Sequence, residues 1–189
     1  MIREILEFWF ADGPDAFRPA WFAKDPAFDA AIRDRFGALL APAREGALDA
    51  WAATPEGALA LLLVLDQFPR NLHRGAPEAF AGDAHALRLA RRLVIGQRMD
   101  LALAPTQRVF LYLPFEHAEE MGAQDLSVAL FEGLRDHPVH ARPGGTIDYA
   151  WRHRAVIARF GRFPHRNAAL GRDSTAEELR YLARPGAGF

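Results

Sequence analysis

The chain has 189 residues, 50% of them apolar and 11% aromatic, which is enough apolar surface for a packed domain and argues against disorder. A net charge of −1 argues against binding to nucleic acid through bulk charge, and the absence of cysteine excludes disulfides, thiol catalysis and cysteine-based zinc sites. The longest apolar run, 58–65, is too short to cross a bilayer, so we expect a cytoplasmic protein with no membrane partner.

Apolar residues recur at helical spacing along almost the whole chain, and strand-like alternation is scarce. The pattern predicts an all-α protein with a single domain over residues 1–189 and short connections, which are typical of antiparallel helix pairs. Thr54 and Pro55 are predicted to start one helix, and a capping box that begins at Ser174 is predicted to start another. Roughly eight helices are expected, near residues 2–10, 26–40, 56–67, 79–96, 105–121, 124–136, 147–160 and 175–184.

A Phe-Pro dipeptide followed by an Arg-Asn pair occurs twice, with a histidine inserted in the second copy. We call the segment 66–71 (Asp-Gln-Phe-Pro-Arg-Asn) the first elbow and the segment 162–167 (Arg-Phe-Pro-His-Arg-Asn) the second elbow. Proline lacks an N–H and disfavours helix in the residue before it, so each dipeptide is predicted to close a helix. Two such braced helix ends could direct Arg70 and Arg166 at one anion.

The elbows therefore supply the candidate ligand-binding residues. Arginine offers a planar fork for carboxylate or phosphate, and asparagine adds an uncharged donor and acceptor. The alternative for each asparagine is helix capping, and the alternative for the whole pattern is architectural, with the Arg-Asn pairs tying helix ends together. The candidate ligand-binding set is Asp66, Arg70, Asn71, His165, Arg166 and Asn167.

Asp66 is predicted to lie in the last turn of its helix, where the helix dipole disfavours an anion. Such a placement indicates a partner, and Arg70, Arg74 and Arg166 are the candidates. We expect Asp66 to hold an arginine in place at the site. The alternative is a structural ion pair that only fixes the turn.

Two histidines take apolar positions on predicted helical faces: His117 in the helix 105–121 and His153 in the helix 147–160. A buried neutral imidazole beside a carboxyl group is suited to proton transfer, so the candidate acid–base residues are Glu116, His117 and His153. The alternative for each histidine is a satisfied position in the core.

Pro114 lies inside the predicted helix 105–121, just before Glu116 and His117. An interior proline removes a helical hydrogen bond and bends the helix, which would make this segment a wall of a site. The alternative is that Pro114 separates two shorter helices and that the acidic residues after it are solvated.

Metal and nucleic acid are weaker alternatives. The chain lacks the Glu-x-x-His and His-x-x-x-His pairs that place two metal ligands on one helical face, so no metal and no cofactor are predicted. Six arginines and no acidic residue occur between Tyr149 and Arg172. Helical spacing spreads these arginines over several faces, so no nucleic-acid partner is expected.

Four motifs, in order, resemble those of the bacterial DUF924 family of uncharacterised proteins: Glu-Phe-Trp-Phe at 7–10, Leu-Asp-Gln-Phe-Pro-Arg-Asn at 65–71, Leu-Pro-Phe-Glu-His-Ala-Glu at 113–119 and Phe-Gly-Arg-Phe-Pro-His-Arg-Asn at 160–167. The resemblance covers essentially the whole chain. It implies an all-helical, tetratricopeptide-like superhelix and no established activity. The family commonly has a serine where this chain has Ala118, so a hydroxyl there is dispensable or its role is lost.

The leading hypothesis is a helical protein with an arginine-lined pocket for a small anionic ligand, either a phosphate or a carboxylate, and this pocket could also be catalytic. The rival hypothesis is a peptide-binding, tetratricopeptide-like scaffold without enzymatic activity. The first predicts an enclosed polar pocket, and the second predicts an extended open groove. The expected partner is accordingly a small anionic molecule or a peptide.

Overall fold

The computed structural model describes residues 1–188, and all regular structure within that range is helical, as the sequence predicts. Eight principal helical segments form the fold when α4 and α5 are taken as one run and the short α3 and α9 as connections. The bounds are α1 Ile2–Trp9, α2 Pro26–Phe36, α3 Leu40–Arg44, α4 Pro55–Leu62, α5 Phe68–Leu72, α6 Asp83–Ala90, α7 Pro105–Glu116, α8 Met121–Glu132, α9 Pro138–Ala141, α10 Thr146–Phe160 and α11 Ala176–Leu182.

Local chemistry explains where the helices begin. The Thr54 hydroxyl caps α4 by accepting a hydrogen bond of 3.1 Å from the N–H of Gly57, which confirms the predicted start. The capping box of α11 lies one residue later than predicted: Thr175, not Ser174, exchanges hydrogen bonds with Glu178. A shift of one residue is possible because both positions carry a hydroxyl and two acidic residues follow in the first turn.

The first elbow does not end a helix, so that prediction is wrong. α4 continues through the π-helical segment Leu63–Gln67 directly into α5, in which Pro69 is the second residue. The wider π turn closes with the N–H of Phe68 donating to the carbonyl of Leu63. Proline is tolerated in the first turn of a helix, where its missing N–H is not needed, and the new turn gives Pro69 such a position.

Gly82 packs against the carbonyl of Leu65, four residues before Pro69. A methyl group added at Gly82 would lie 2.2 Å from the Leu65 carbonyl oxygen, so only glycine fits there. The proline cannot donate to this carbonyl, because it has no N–H. The close approach brings the start of α6, and with it Asp83, beside the first elbow.

The second elbow follows a helix end, but glycine rather than proline makes the stop. α10 ends at Phe160, as predicted, and Gly161 adopts a left-handed conformation with φ 69° while donating to the carbonyl of Ile157. Pro164 then begins the 3₁₀ turn Pro164–Arg166. The two elbows therefore have different backbones despite their shared sequence.

Pro114 lies within the last turn of α7, which ends at Glu116 with His117 as its C-cap. The predicted helix 105–121 is thus too long by five residues, and α8 begins at Met121. Pro114 does not divide the segment into two helices, so that alternative is wrong. Glu116 and His117 occupy the end of α7, where the chain turns.

Helices that follow one another pack together: α6 with α7, α7 with α8 and α8 with α10, while α4 packs against α1 and α7. Trp9 is fully buried, and its ring lies between 5.4 and 6.0 Å from four other rings, those of Trp21, Phe28, Phe68 and Phe110. Burial of each such side chain contributes about 1.5–3 kcal/mol. The aromatic residues Trp9 and Phe10 of the motif at 7–10 therefore belong to the core, where both pack against Trp21.

No helix in the described part of the chain is both long and apolar enough to traverse a lipid bilayer. The single domain over residues 1–189 and the superhelical arrangement stay predictions.

Candidate functional site

A cavity of about 570 Å³ opens between the segment 17–23, α5, the end of α7, α10 and the second elbow. Its volume is typical of small-molecule sites. Seven of the nine candidate site residues line this cavity, and Asp66 and Asn167 are not among the lining residues. The lining candidates are Arg70, Asn71, Glu116, His117, His153, His165 and Arg166.

The two elbow arginines meet at one carboxylate, that of Asp83 in the first turn of α6. Arg70 binds Asp83 through two hydrogen bonds of 2.9 Å, and Nη1 of Arg166 contacts the same carboxylate at 3.4 Å. The ring of Phe80 lies 5.7 Å from the Arg70 guanidinium and 4.8 Å from that of Arg166. The structure therefore brings together two guanidinium groups that are far apart in sequence.

Arg70 is paired with two carboxylates of the protein. Besides its two bonds to Asp83, its Nη1 donates to the carbonyl of Asp66 at 2.7 Å and lies 3.3 Å from the Asp66 carboxylate. Asp66 thus holds an arginine in place, and that arginine is Arg70. The geometry is that of a buried ion-pair network, in which each charge is compensated.

Arg166 has fewer partners. Its 3.4 Å contact to Asp83 is its sole side-chain hydrogen bond to the described residues, and its buried Nε has no partner among them. Only 6% of the residue is exposed, and its guanidinium packs 4.5 Å from the ring of Phe163. Burial, reinforced by the charge of Arg70, lowers the pKa of Arg166 to about 10, so it remains a cation at neutral pH.

Asp66 also orients His117. Its carboxylate accepts hydrogen bonds from Nδ1 of His117 at 2.8 Å and from the Gln67 amide at 2.5 Å. Burial alone would raise the pKa of Asp66, but the charge of Arg70 together with the hydrogen bonds from His117 and Gln67 outweighs burial and lowers it. The carboxylate therefore stays ionised and fixes the imidazole.

His117 is poised as a base. Burial, reinforced by the charge of Arg70, lowers the pKa of His117 against the opposing effect of Asp66. The imidazole is then neutral, and because a carboxylate can only accept, the proton lies on Nδ1. This leaves Nε2 as the unprotonated nitrogen of a side chain that lines the cavity.

Glu116 has the opposite protonation state from Asp66. It is 4% exposed, its Oε2 has no partner among the described residues, and burial followed by repulsion from Asp66 raises its pKa to about 8. The side chain is therefore a neutral carboxylic acid at neutral pH. Neighbouring groups whose pKa values are driven apart are typical of acid–base sites.

His153 lies beside Glu116. Its Nδ1 donates to the Tyr149 carbonyl at 2.9 Å and lies 3.2 Å from Oε1 of Glu116, while its ring centroid is 6.2 Å from that of His117. Burial lowers the pKa of His153 well below its usual range, so it is a neutral neighbour of the acid. His153 lies on a buried helical face, as predicted, whereas His117 is half-buried and lies at the C-cap of α7.

The turn after α7 joins the acid–base residues to the second elbow. The amide of Gln124 in α8 donates to the carbonyl of Glu116 at 2.7 Å. Two residues beyond His117, Glu119 accepts from the N–H of Phe163 at 2.8 Å and from two nitrogens of Arg172 at 2.6 and 2.9 Å. One short turn thus positions Glu116 and the backbone that carries Arg166.

Asn71, the asparagine of the first elbow, makes a structural contact at the wall of the cavity. Asn71 donates to the carboxylate of Asp29 at 2.8 Å, and the same carboxylate pairs with Arg74 at 2.9 Å. Arg74 is therefore a partner of Asp29 and not of Asp66. The amide nitrogen of Asn71 is used within the protein, although the residue lines the cavity.

The second-elbow asparagine is architectural. Asn167 is 1% exposed, donates to the Ser174 hydroxyl at 3.0 Å and accepts from Nε of Arg172 at 3.0 Å. These bonds tie the elbow to the chain that follows it. The hypothesis that Asn167 orients a ligand has no support in this geometry, because its side chain is committed and lies outside the described lining.

The sequence reasoning missed an aromatic wall, which we define as Phe17, Trp21 and Phe22. The rings of Phe17 and Phe22 stack at 6.0 Å, and the Trp21 indole donates to the Trp9 carbonyl at 2.9 Å. The segment 11–25 has no helical periodicity, so no sequence signal marked it. Asp83 was missed for a related reason: an acid in the first turn of a helix has a common local explanation.

Among residues 1–188, no group of three or more histidine, aspartate or glutamate side chains has an arrangement that could hold a metal ion.

Comparison with known proteins gives the same fold and no activity. No curated protein matches the chain. A solved structure of a protein of unknown function from Agrobacterium tumefaciens, ATU0120, is 42% identical, covers 96% of each chain and superposes with a TM-score of 0.84. The family model described as a bacterial protein of unknown function, DUF924, matches residues 5–186. The chain therefore belongs to the DUF924 family of bacterial proteins, as its four motifs predicted.

Proposed function

We propose that the protein binds a small anionic molecule in the cavity, with Arg166 as the principal anion-binding residue. The observation that carries this proposal is a guanidinium with 6% exposure, one long hydrogen bond of 3.4 Å and an Nε without a partner among the described residues. A buried charge is stable when it is paired and hydrogen-bonded, and Arg166 falls short of both. A carboxylate or phosphate oxygen would complete its set of partners.

Acid–base chemistry is the second part of the proposal. His117, held by Asp66 at 2.8 Å, would take a proton from the bound molecule, and the neutral carboxyl of Glu116 would give one. Arg70 would fix Asp66 and provide positive charge beside the ligand, while His153 keeps Glu116 in a dry environment. The reaction class is therefore proton transfer on an anionic substrate.

The alternative function is that of a peptide-binding scaffold without enzymatic activity. It is suggested by likeness to tetratricopeptide proteins alone, and fold-level likeness is weak support for a function. The cavity brings buried ionisable side chains together around about 570 Å³. This combination supports a small-molecule site over an extended peptide groove.

A thermal-shift screen of carboxylated and phosphorylated metabolites tests the proposal. A ligand at a hundredfold excess over its dissociation constant should stabilise the protein by about 2.7 kcal/mol. The shift should disappear in Arg166→Gln and persist in the matched control Arg159→Gln, which removes an exposed arginine paired with Glu177. Equal shifts in both variants, or no shift with any anion in the wild-type protein, would contradict the proposal.

A further inference from the structure

The cavity lining contains two chemically different clusters. Arg70, Arg166 and His117 gather around the carboxylates of Asp66 and Asp83, and the second cluster is the aromatic wall defined above, whose rings contact one another. A ligand that contacts both clusters must have a charged group and an apolar body. The net charge of the cavity and its exposed aromatic surface further limit which ligands of this kind can bind.

The formal charge of the cavity at neutral pH favours a singly charged ligand. Four arginines line it, and three aspartates bind these arginines, which leaves about one positive charge. The remaining ionisable lining groups are neutral, because burial raises the pKa of Glu116 and lowers the pKa values of the three histidines. The arginines are Arg70, Arg74, Arg142 and Arg166, and the aspartates are Asp29, Asp66 and Asp83.

Arg142 is the lining arginine that contacts the aromatic wall. It forms no ion pair with the described residues, and its guanidinium instead lies 5.4 Å from the centroid of the Phe17 ring. A dianion would bring more negative charge than this cavity can neutralise. A single carboxylate matches the net charge of the whole cavity, and Arg166 is the buried cation whose counter-ion, Asp83, is shared with Arg70.

The aromatic wall is a preorganised apolar surface that a ligand could cover. Trp21 is held rigidly by its hydrogen bond to Trp9, and it packs edge-on against Phe17 at 5.9 Å. Phe22 is 50% exposed although it is a large apolar residue, and it lines the cavity. A ligand body that covers Phe22 would remove this ring from water, which is a favourable change.

We propose that the ligand is an amphipathic monocarboxylate whose carboxylate binds Arg166 and whose aromatic or bulky hydrocarbon body lies on the aromatic wall. This inference rests on the proposed function, because the carboxylate occupies the same arginine. It goes further because it assigns the apolar body of the ligand to the aromatic wall and because it chooses carboxylate over phosphate.

Four probes separate the contributions: phenylpropanoate, propanoate, phenyl phosphate and phenylpropanol. Binding to the wild-type protein is followed at neutral pH by an NMR titration of backbone amides. Phenylpropanoate should bind at least about tenfold more tightly than propanoate, which lacks the ring, and than phenylpropanol, which lacks the charge. It should also bind more tightly than phenyl phosphate, which carries the same ring with more charge.

Two variants and a control locate the effect. Phe22→Ala should weaken phenylpropanoate about tenfold and leave propanoate unchanged, since only the ring contact is lost. Arg166→Gln should weaken both carboxylates. Leu179→Ala, which truncates another exposed apolar side chain outside the described lining, should change neither.

The outcomes distinguish this inference from the proposed function. Equal binding of propanoate and phenylpropanoate, with no effect of Phe22→Ala, would overturn the aromatic assignment and leave the anion site standing. Tighter binding of phenyl phosphate would overturn the choice of carboxylate. No binding by any of the three anions would overturn both.

Discussion

The two elbows have nearly the same sequence and reach the same carboxylate by different routes. In the first, the proline lies inside a continuous helical run, and Arg70 donates to Asp66 and makes two bonds of 2.9 Å to Asp83. In the second, the proline starts a 3₁₀ turn after a helix end, and Arg166 makes one bond of 3.4 Å. The same motif thus supplies one arginine that is well paired within the protein and one that makes a single long hydrogen bond.

This difference shows that a repeated motif need not have a repeated role. The backbone around Arg70 sets Asp66 and Asp83 close to it, so its charge is compensated inside the protein. Arg166 contacts the Asp83 carboxylate from the second elbow, and both oxygens of that carboxylate already accept hydrogen bonds from Arg70. We infer that the first elbow stabilises the site and that the second elbow receives the ligand.

The largest expected effect is the difference in stability loss between a substitution in the first elbow and one in the second. Arg70→Ala should lower the free energy of unfolding by about 3–5 kcal/mol, because it leaves the buried Asp66 and the Asp83 carboxylate without their main partner. Arg166→Ala should cost only about 1 kcal/mol, since it removes one long hydrogen bond. Urea unfolding measures both changes. A larger loss for Arg166→Ala would reverse the assignment of roles.

The next effect is a pH dependence that comes from Glu116. The folded protein retains the Glu116 proton up to about pH 8, whereas the unfolded chain releases it near pH 4.5, so folding takes up a proton between these values. Stability should therefore fall as the pH rises through this window. The glutamine in Glu116→Gln is neutral at every pH. The free energy of unfolding of this variant should therefore rise by about 2–4 kcal/mol relative to that of the wild type as the pH goes from the acidic to the alkaline end of this window.

Thermal unfolding of the Glu116→Gln variant and the wild type across this pH range tests the prediction. The two stability curves should agree near pH 5 and separate as the pH approaches 8. Parallel curves would show that the wild-type carboxyl ionises normally, and the acid role of Glu116 would then have no basis.

A smaller effect concerns the carboxylate that the two elbows share. Asp83→Asn should retain one of the two hydrogen bonds from Arg70, because an amide has a single acceptor oxygen, while adding one positive charge beside the cavity. The affinity for phenyl phosphate should then rise about tenfold relative to phenylpropanoate. Titration of the two compounds against the variant measures the ratio. An unchanged ratio would mean that cavity charge does not select the ligand.

Much of the fold could be predicted because its signals are local. The capping hydroxyl of Thr54 and the apolar spacing of α10 gave bounds that the structure matches closely. The π-helical segment Leu63–Gln67 could not be predicted, because a proline after a helical run usually ends the helix. The close approach of Gly82 to the Leu65 carbonyl within this segment is a tertiary contact, which a local sequence pattern does not show.

The candidate site was predictable where chemistry was unusual and not where it was ordinary. His117 and His153 stood out as ionisable residues on apolar faces, and Glu116 stood out as a carboxyl group beside His117. All three line the cavity. Asp83 and Phe22 carried no such signal, because acids at helix starts and aromatic residues in loops are common. Their importance arises from tertiary contacts with Arg70, Arg166 and the cavity.

The most direct test of the central claim observes the arginine side chains themselves. Proton–nitrogen NMR spectra of these groups are recorded while phenylpropanoate is added, with the Arg166 signal assigned by its loss in Arg166→Gln. We expect the Arg166 signal to shift and saturate with the ligand, while the signal of Arg172, which is held by Glu119, stays in place. A bound ligand with an unmoved Arg166 signal would contradict the account.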